Sequence, residues 1–368
     1  MNTPITVTPE ENFADILAEY GKLCLLNADA VLKRYRSRGY RYDRRRKYYL
    51  ILDCETSTLA YAQKFPEAVR KNVAISMPLI YDIGWQIIDC HGRVYARKSY
   101  LVNEIFNNLE IFNTGYYAWK RPMYAEALAE GKITLASWES IIADLMVDMS
   151  EVEAVGAYNA KFDFHTAIPF TENYFAQTKL PTAQEWLRRQ YYRADKLAYP
   201  DKEAEKAYRA AQRQRERAMP PEEKSAYYAA KARKKRTFTL RGMEFPMFDL
   251  WGMTVTRLLD TDHYRQTCLE KGWKTESGTF FPTNAEAAFR YISGLSEFEE
   301  SHTALADTVI ESVLFAMIYK ADKTAWTEGI IYNPHQKLGK VQKYLEVLAT
   351  DPNCPDCLTA IIAQALGE

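Results

Sequence analysis

The chain has 368 residues, and its 48 acidic and 48 basic side chains balance, so net charge alone gives no argument for a nucleic-acid partner. There is no apolar run of transmembrane length and no signal-peptide pattern, and the six cysteines are scattered rather than arranged as a disulfide framework. We therefore expect a globular protein with reduced thiols, a cytoplasmic location and no membrane partner.

The N-terminal segment, residues 1–45, is predicted to be helical and then basic. Thr8-Pro9-Glu10-Glu11 is a helix-start pattern, and a second short helix is expected over residues 28–34. Residues 33–47 interleave Arg and Lys with Tyr. This composition suits phosphate contacts combined with base stacking, and it suits a solvated arm equally well.

The run Tyr48–Thr56 is predicted to be a buried strand that ends in two acids. Because residues i and i+2 of a strand point to the same face, Asp53 and Glu55 should share one face and Cys54 the other. Taken alone, such a pair is more typical of a solvated strand end than of a catalytic site. Carboxylates farther along the chain decide between the two interpretations.

The next part of the chain predicts a mixed sheet. After an irregular connection over residues 57–76, strands are expected over 78–89 and 94–102, joined by a tight turn. A short strand over 154–158 then leads into a helix that begins near Asn159. This order predicts an α/β domain, a mixed sheet flanked by helices.

Residues 181–237 are predicted to form an inserted basic helical hairpin. They are rich in Ala, Arg, Lys, Glu and Tyr, and Pro220-Pro221 divides them into two helices. From Arg188 to Arg236 there are 16 basic and 7 acidic residues, a net charge of +9. This bias favours contact with nucleic acid over a merely solvated helix pair, and a protein partner for the hairpin is the alternative.

The remaining segment returns to apolar patterns. A helix is predicted over 245–259, another from about residue 285, and a long one over 303–319. Residues 323–368 are expected to form a loop and a C-terminal helical tail. Within this tail, Cys354 and Cys357 have the spacing of half a zinc site, but no second CxxC accompanies them.

Further ionisable side chains give the acidic strand end a chemical context. Asp163 falls in the first turn of the helix that follows the 154–158 strand, Asp307 falls on the long apolar helix, and His302 precedes that helix on a loop. A carboxylate on a largely apolar helix is unfavourable without a counter-charge. Four carboxylates on three separate elements suit two divalent metal ions, with the histidine as a general base.

Three motifs, in order along the chain, resemble those of the DEDDh (DnaQ-like) exonucleases: Asp53-Cys54-Glu55-Thr56, Asn159-Ala160-Lys161-Phe162-Asp163, and His302 five residues before Asp307. The resemblance covers about residues 46–180 and 238–322. The chain departs from the family in the long 57–76 connection, in the inserted hairpin, and in lacking a Gly soon after the first motif.

The resemblance implies a ribonuclease H-like fold and removal of nucleoside monophosphates from a 3′ end. It also implies that Asp53, Glu55, Asp163 and Asp307 hold two Mg²⁺ or Mn²⁺ ions and that His302 deprotonates the attacking water. Thr56, Ser57 and Asn159 are the expected substrate contacts, although Asn159 is also a good helix cap.

Single-stranded DNA is the favoured substrate, with trimming of RNA 3′ ends as an alternative. A catalytically silent nucleic-acid-binding protein on the same fold is the alternative of a different class.

Overall fold

The computed structural model describes residues 47–58, 78–176 and 202–350. At its centre is a seven-stranded mixed sheet with helices on both faces, which confirms the predicted α/β class. The strands are β1 (Tyr48–Thr58), β2 (Pro78–Asp89), β3 (Val94–Val102), β4 (Thr134–Ala136), β5 (Ala154–Ala157), β6 (Thr237–Leu240) and β7 (Met243–Asp249). Their order across the sheet is β4-β3-β2-β1-β5-β7-β6.

The middle of the sheet changes from antiparallel to parallel pairing. β1 pairs with β2, and β2 with β3, in antiparallel fashion, whereas β1–β5 and β5–β7 are parallel. The carboxyl ends of β1, β5 and β7 therefore lie along one edge of the sheet. This edge is where ligands bind in open α/β sheets.

The α-helices lie on the two faces of the sheet and in the inserted hairpin. They are α1 (Asn103–Phe106), α2 (Leu109–Phe112), α3 (Arg121–Ala129), α4 (Trp138–Ser150), α5 (Ala160–Phe162), α6 (Ile168–Phe175), α7 (Lys202–Ala218), α8 (Pro221–Lys234), α9 (Leu250–Thr254), α10 (Asp262–Glu270), α11 (Ala285–Ser293), α12 (Ala304–Ala321) and α13 (Val341–Thr350). A single turn of π-helix, residues 163–167, joins α5 to α6.

The sheet separates two apolar cores. Leu50 and Leu52 of β1 pack into the first core, which α4 and α6 cover, whereas Tyr49 and Ile51 pack into the second, beneath α9 to α12. The two-residue alternation of a strand buried on both faces produces this division. Residues of α13, including Leu345, complete the second core.

Most predicted element bounds hold, with one clear error. The strands β2 and β3 have the predicted limits, and α12 starts and ends within two residues of its predicted limits. The predicted helix over 245–259 is wrong in its first part, because β7 continues to Asp249. Arg241 and Gly242 adopt positive φ angles of 47° and 83°, which turn the chain into a two-residue β-hairpin between β6 and β7.

The described part of the predicted hairpin contains two helices, α7 and α8. They are joined at Met219-Pro220, and the Tyr227 hydroxyl of α8 lies 3.1 Å from a carboxylate oxygen of Glu216 on α7. β1 continues to Thr58, so the predicted irregular connection starts two residues too early. The rest of that connection, the N-terminal arm and the pair Cys354 and Cys357 lie outside the described residues. Among the helices of the described ranges, none has both the length and the apolar character needed to cross a membrane.

Candidate active site

The two acids of β1 lie on the strand face that packs against α12. Asp53 and Glu55 continue the alternation of Tyr49 and Ile51, both of which belong to the core on the α12 side. Cys54 packs into the opposite core, as predicted. Both carboxylates consequently face the N-terminal turns of α12.

The start of α12 lies directly against strand β2. Gly84 pairs with Asp53 across the β-ladder, and a Cβ at Gly84 would overlap the backbone nitrogen of Leu305. Next to this contact, Asp82 Oδ2 accepts a hydrogen bond of 3.0 Å from the N–H of Ala304, the first residue of the helix. A carboxylate at a helix N-terminus is favourable because it satisfies an unpaired N–H and opposes the helix dipole.

This packing brings together the residues that the sequence predicted as a site. Ligand atoms of Glu55, His302 and Asp307 all lie within 4.8 Å of one another. Asp163, in the turn after α5, interacts electrostatically with Asp53, as does Asp307. Elements separated by about 250 residues of sequence thus contribute to one cluster of carboxylates.

Burial and mutual repulsion make this cluster hold protons strongly. Burial first, and then the neighbouring charge of Asp82, raises the pKa of Asp53 to about 7. The pKa values of Glu55, Asp163 and Asp307 are raised well above their ordinary range, mainly by burial and secondly by neighbouring carboxylates. A cation bound among these groups would remove the repulsion.

The donor atoms also fit a hard divalent cation. Among the described residues, Asp307 Oδ1, Glu311 Oε2 and Asp82 Oδ1 are buried without a hydrogen-bond partner. Buried carboxylate oxygens without partners are unfavourable, and Mg²⁺ or Mn²⁺ takes oxygen ligands of this kind. Asp82 and Glu311 both interact electrostatically with Asp53, so these oxygens belong to the same cluster, whose residues are chemically suited to metal.

A second group of possible ligands shares His302 and adds Glu286 and Glu300. Arg290 Nη2 lies 2.8 Å from Glu286, so part of the negative charge in this group is already neutralised. In the described structure, neither Glu55 nor Asp307 of the first group forms an ion pair with an arginine or lysine. The cluster around Glu55 and Asp307 is therefore the better candidate metal centre.

His302 is held on the loop before α12 in an unusual backbone conformation. Its φ angle is +48°, in the left-handed region that non-glycine residues seldom adopt. Its ring stacks on Tyr117, with ring centroids 4.6 Å apart and an angle of 14° between the planes. Nδ1 lies 3.7 Å from Glu300 Oε2. Burial, followed by the positive charge of Lys120, lowers the pKa of His302, so its ring is neutral at pH 7.

Lys120 joins this loop to the carboxylates. Its ammonium group donates to the carbonyl oxygens of Ser301 at 2.5 Å and His302 at 3.2 Å, and it lies 4.4 Å from the centre of the Tyr117 ring. It also lowers the pKa of Glu55, partly opposing the effect of burial. A cation in this position supports both the loop conformation and the ionised carboxylate.

Sequence reasoning missed four charged residues of this site: Asp82, Glu300, Glu311 and Lys120. The sequence pattern could have identified two of them. Asp82 interrupts an otherwise apolar strand, and Glu311 lies one helical turn after Asp307, on the same face. Glu300 lies on an irregular loop and Lys120 ends a three-residue 3₁₀-helix, and neither segment is long enough to show a periodicity that would orient a side chain.

The predicted substrate contacts have different positions relative to the site. Thr56 is partly exposed beside Glu55. Ser57 is buried and donates its hydroxyl to the Leu79 carbonyl at 3.2 Å, and its contact with substrate stays a prediction. Asn159 is the N-cap of α5 by position, yet its side chain makes no capping hydrogen bond and instead lines a pocket.

Compared with known proteins, the sequence matches no family model and no curated protein. The function must therefore be inferred from the geometry and chemistry of the residues themselves.

Proposed function

We propose that this chain is a metal-dependent 3′–5′ exonuclease of the DEDDh type on a ribonuclease H-like fold. The observation that carries the proposal is the convergence of Glu55, His302 and Asp307 within 4.8 Å, beside Asp53 and Asp163. The three motifs that suggested the family are far apart in sequence, and the fold brings their side chains into one cluster. The mixed sheet with helices on both faces also supports the proposal.

Asp53, Glu55, Asp163 and Asp307 would hold two Mg²⁺ ions, or Mn²⁺. Bound in pairs, such ions activate water and stabilise the leaving oxygen in phosphodiester hydrolysis. The four side chains come from β1, the turn after α5, and α12, which the sheet and its packing fix relative to one another. Positioning of this kind limits the reorganisation needed during the reaction.

His302 would take the proton of the attacking water. Its lowered pKa keeps the imidazole neutral and able to accept at pH 7. Tyr117 fixes the plane of the ring, and Lys120 holds the backbone on either side of it. After proton transfer, the nearby charges of Glu286 and Glu299 would favour the imidazolium.

A direct test compares Mg²⁺-dependent release of nucleoside monophosphates by the natural protein and three variants. Replacing His302 with Ala should lower kcat by about 10²–10⁴-fold, and Asp307→Asn should abolish metal-dependent activity. His91→Ala is the matched control, because His91 lies on the exposed β2–β3 turn and should have no effect.

Parallel assays on DNA and RNA oligonucleotides of one sequence would identify the substrate, for which we favour single-stranded DNA. Tight binding without hydrolysis in either Mg²⁺ or Mn²⁺ would contradict the proposal and support a silent nucleic-acid-binding protein. Undiminished activity of His302→Ala would contradict the role given to that residue.

A further inference from the structure

A second pocket lies along the same edge of the sheet as the candidate active site. Its volume is about 230 Å³, and Asn159, Lys161, Trp251, Ile331 and Tyr332 are among the residues that line it. Asn159 and Lys161 precede Asp163 by only four and two residues. Lys161 lies on α5 and Asp163 begins the π-helical turn that follows it, so one short segment contributes to both the pocket and the carboxylate cluster.

The sheet fixes the separation between the pocket and the carboxylates. The floor of the pocket contains Asp249, the last residue of β7, and β5 lies between β7 and β1. Phe248 of β7 and Ile51 of β1 both pair with Gly156 of β5, so with about 4.8 Å between neighbouring strands the main chain beside Asp249 lies about 10 Å from the main chain just before Asp53. A nucleic-acid strand that leaves the active site along this edge would reach the pocket within a few nucleotides.

Tyr332 gives the pocket an aromatic ring that two lysine ammonium groups approach. Its side chain is 52% exposed, and the ammonium groups of Lys161 and Lys235 lie 5.5 and 5.0 Å from the ring centre. An exposed aromatic ring with adjacent lysines can stack a base while the lysines contact phosphates on either side. The positive charges complement a polyanionic strand and disfavour a basic peptide.

The pocket also connects the active site to the basic hairpin. Lys235 is the C-cap residue of α8, and its carbonyl oxygen accepts a 2.9 Å hydrogen bond from the N–H of Ile330. The end of the hairpin is thus tied to the segment that carries Tyr332. Lys235, at the end of the hairpin, and Lys161, two residues before Asp163, therefore contact the same aromatic ring.

We propose that this pocket binds an unpaired base of the substrate, upstream of the 3′ nucleotide, through stacking on Tyr332 and phosphate contacts from Lys161 and Lys235. The inference rests on the proposed exonuclease function and extends it to a substrate class: single strands long enough to reach the pocket. A dinucleotide would occupy the carboxylate site without filling the pocket.

Binding is tested first, in the Asp307→Asn background with Ca²⁺, by the fluorescence anisotropy of a 5′-labelled oligothymidylate. Tyr332→Ala should raise Kd about tenfold, and Tyr332→Trp should restore it by retaining a stacking surface. Lys161→Gln and Lys235→Gln should each reduce the slope of log Kd against log salt by about one. Lys271→Gln, at an exposed position outside the pocket, is the control.

Hydrolysis is tested in the otherwise natural protein. Tyr332→Ala should raise KM for the oligothymidylate and leave both kcat and dinucleotide hydrolysis unchanged. An unchanged Kd in the Tyr332→Ala variant, or an equal loss on dinucleotide and oligonucleotide, would overturn the inference. If the natural protein hydrolyses neither substrate, the proposed function fails, and the anisotropy measurement still decides whether the pocket binds single strands.

Discussion

Replacing Asp53 with Asn should make the metal-free protein more stable at neutral and alkaline pH while removing its proposed activity. Asn has nearly the same shape as Asp and no charge, so the change relieves repulsion among the buried carboxylates without leaving a cavity. The expectation follows from the environment of Asp53, where burial and Asp82 both disfavour the ionised form.

The magnitude follows from the pKa of Asp53, which rises from 3.8 to about 7 on folding. At 1.36 kcal/mol per pKa unit, keeping this group ionised in the folded protein costs about 4 kcal/mol. Because part of the side chain remains accessible to solvent, we expect about half of this, about 2 kcal/mol. The folded pKa lies above the unfolded one, so the penalty is absent below about pH 4, grows as the pH rises, and is complete above about pH 7.

Urea unfolding in EDTA at about pH 4 and at about pH 8 measures the effect. Asp53→Asn should raise the free energy of unfolding only at the higher pH. Asp148→Asn is the control, and it should lower the free energy of unfolding. Asp148 lies 2.7 Å from the buried Lys98 ammonium and accepts a hydrogen bond from the Trp85 indole N–H, so this change removes a favourable ion pair. An equal gain at both pH values, or a loss of stability at pH 8, would refute the electrostatic explanation.

Three further predictions concern the same residues and their surroundings. Mg²⁺ at about 100 times its Kd should stabilise the natural protein by about 2.7 kcal/mol, and thermal unfolding of Asp307→Asn should show no such gain. Lys120→Met should lower kcat about tenfold or more. Because Lys120 lowers the pKa of His302, the acidic limb of the pH–rate profile of this variant should move to higher pH, and partial rescue by Lys120→Arg would separate the effect of charge from that of packing. Deleting residues 190–235 should weaken oligonucleotide binding and flatten its salt dependence, with Mg²⁺ stabilisation retained; unchanged affinity would assign the hairpin to another partner.

Sequence reasoning succeeded where one physical constraint determined the answer. The alternation of a strand places Asp53 and Glu55 on one face whatever the tertiary structure is, and the apolar pattern around Asp307 required a helix with a buried carboxylate. The strand β7 was missed because a short apolar run fits a helix and a strand equally well. The turn before β7 depends on the positive φ angle of Arg241. Arginine rarely adopts such an angle, so nothing in the local sequence predicts this turn.

The surroundings of His302 could not be predicted for a different reason. Its contacts with Tyr117 and Lys120 join segments separated by about 180 residues. No periodicity relates such segments, and their meeting depends on how the whole chain between β3 and β4 packs. The sequence therefore predicted the residues of the candidate site but not the residues that contact His302.

The close contact between Gly84 and the first turn of α12 has a consequence for how variable this site can be. The separation between the β1 acids and Asp307 is set by main chain touching main chain, and main-chain atoms have no alternative rotamers. Substitutions elsewhere in the two cores can change side-chain volumes without altering that separation. A single added methyl group at Gly84, by contrast, would wedge helix and sheet apart and change every distance across the cluster at once. A substitution at Gly84 should therefore disturb the geometry of the cluster more than a change of side-chain volume in either core does.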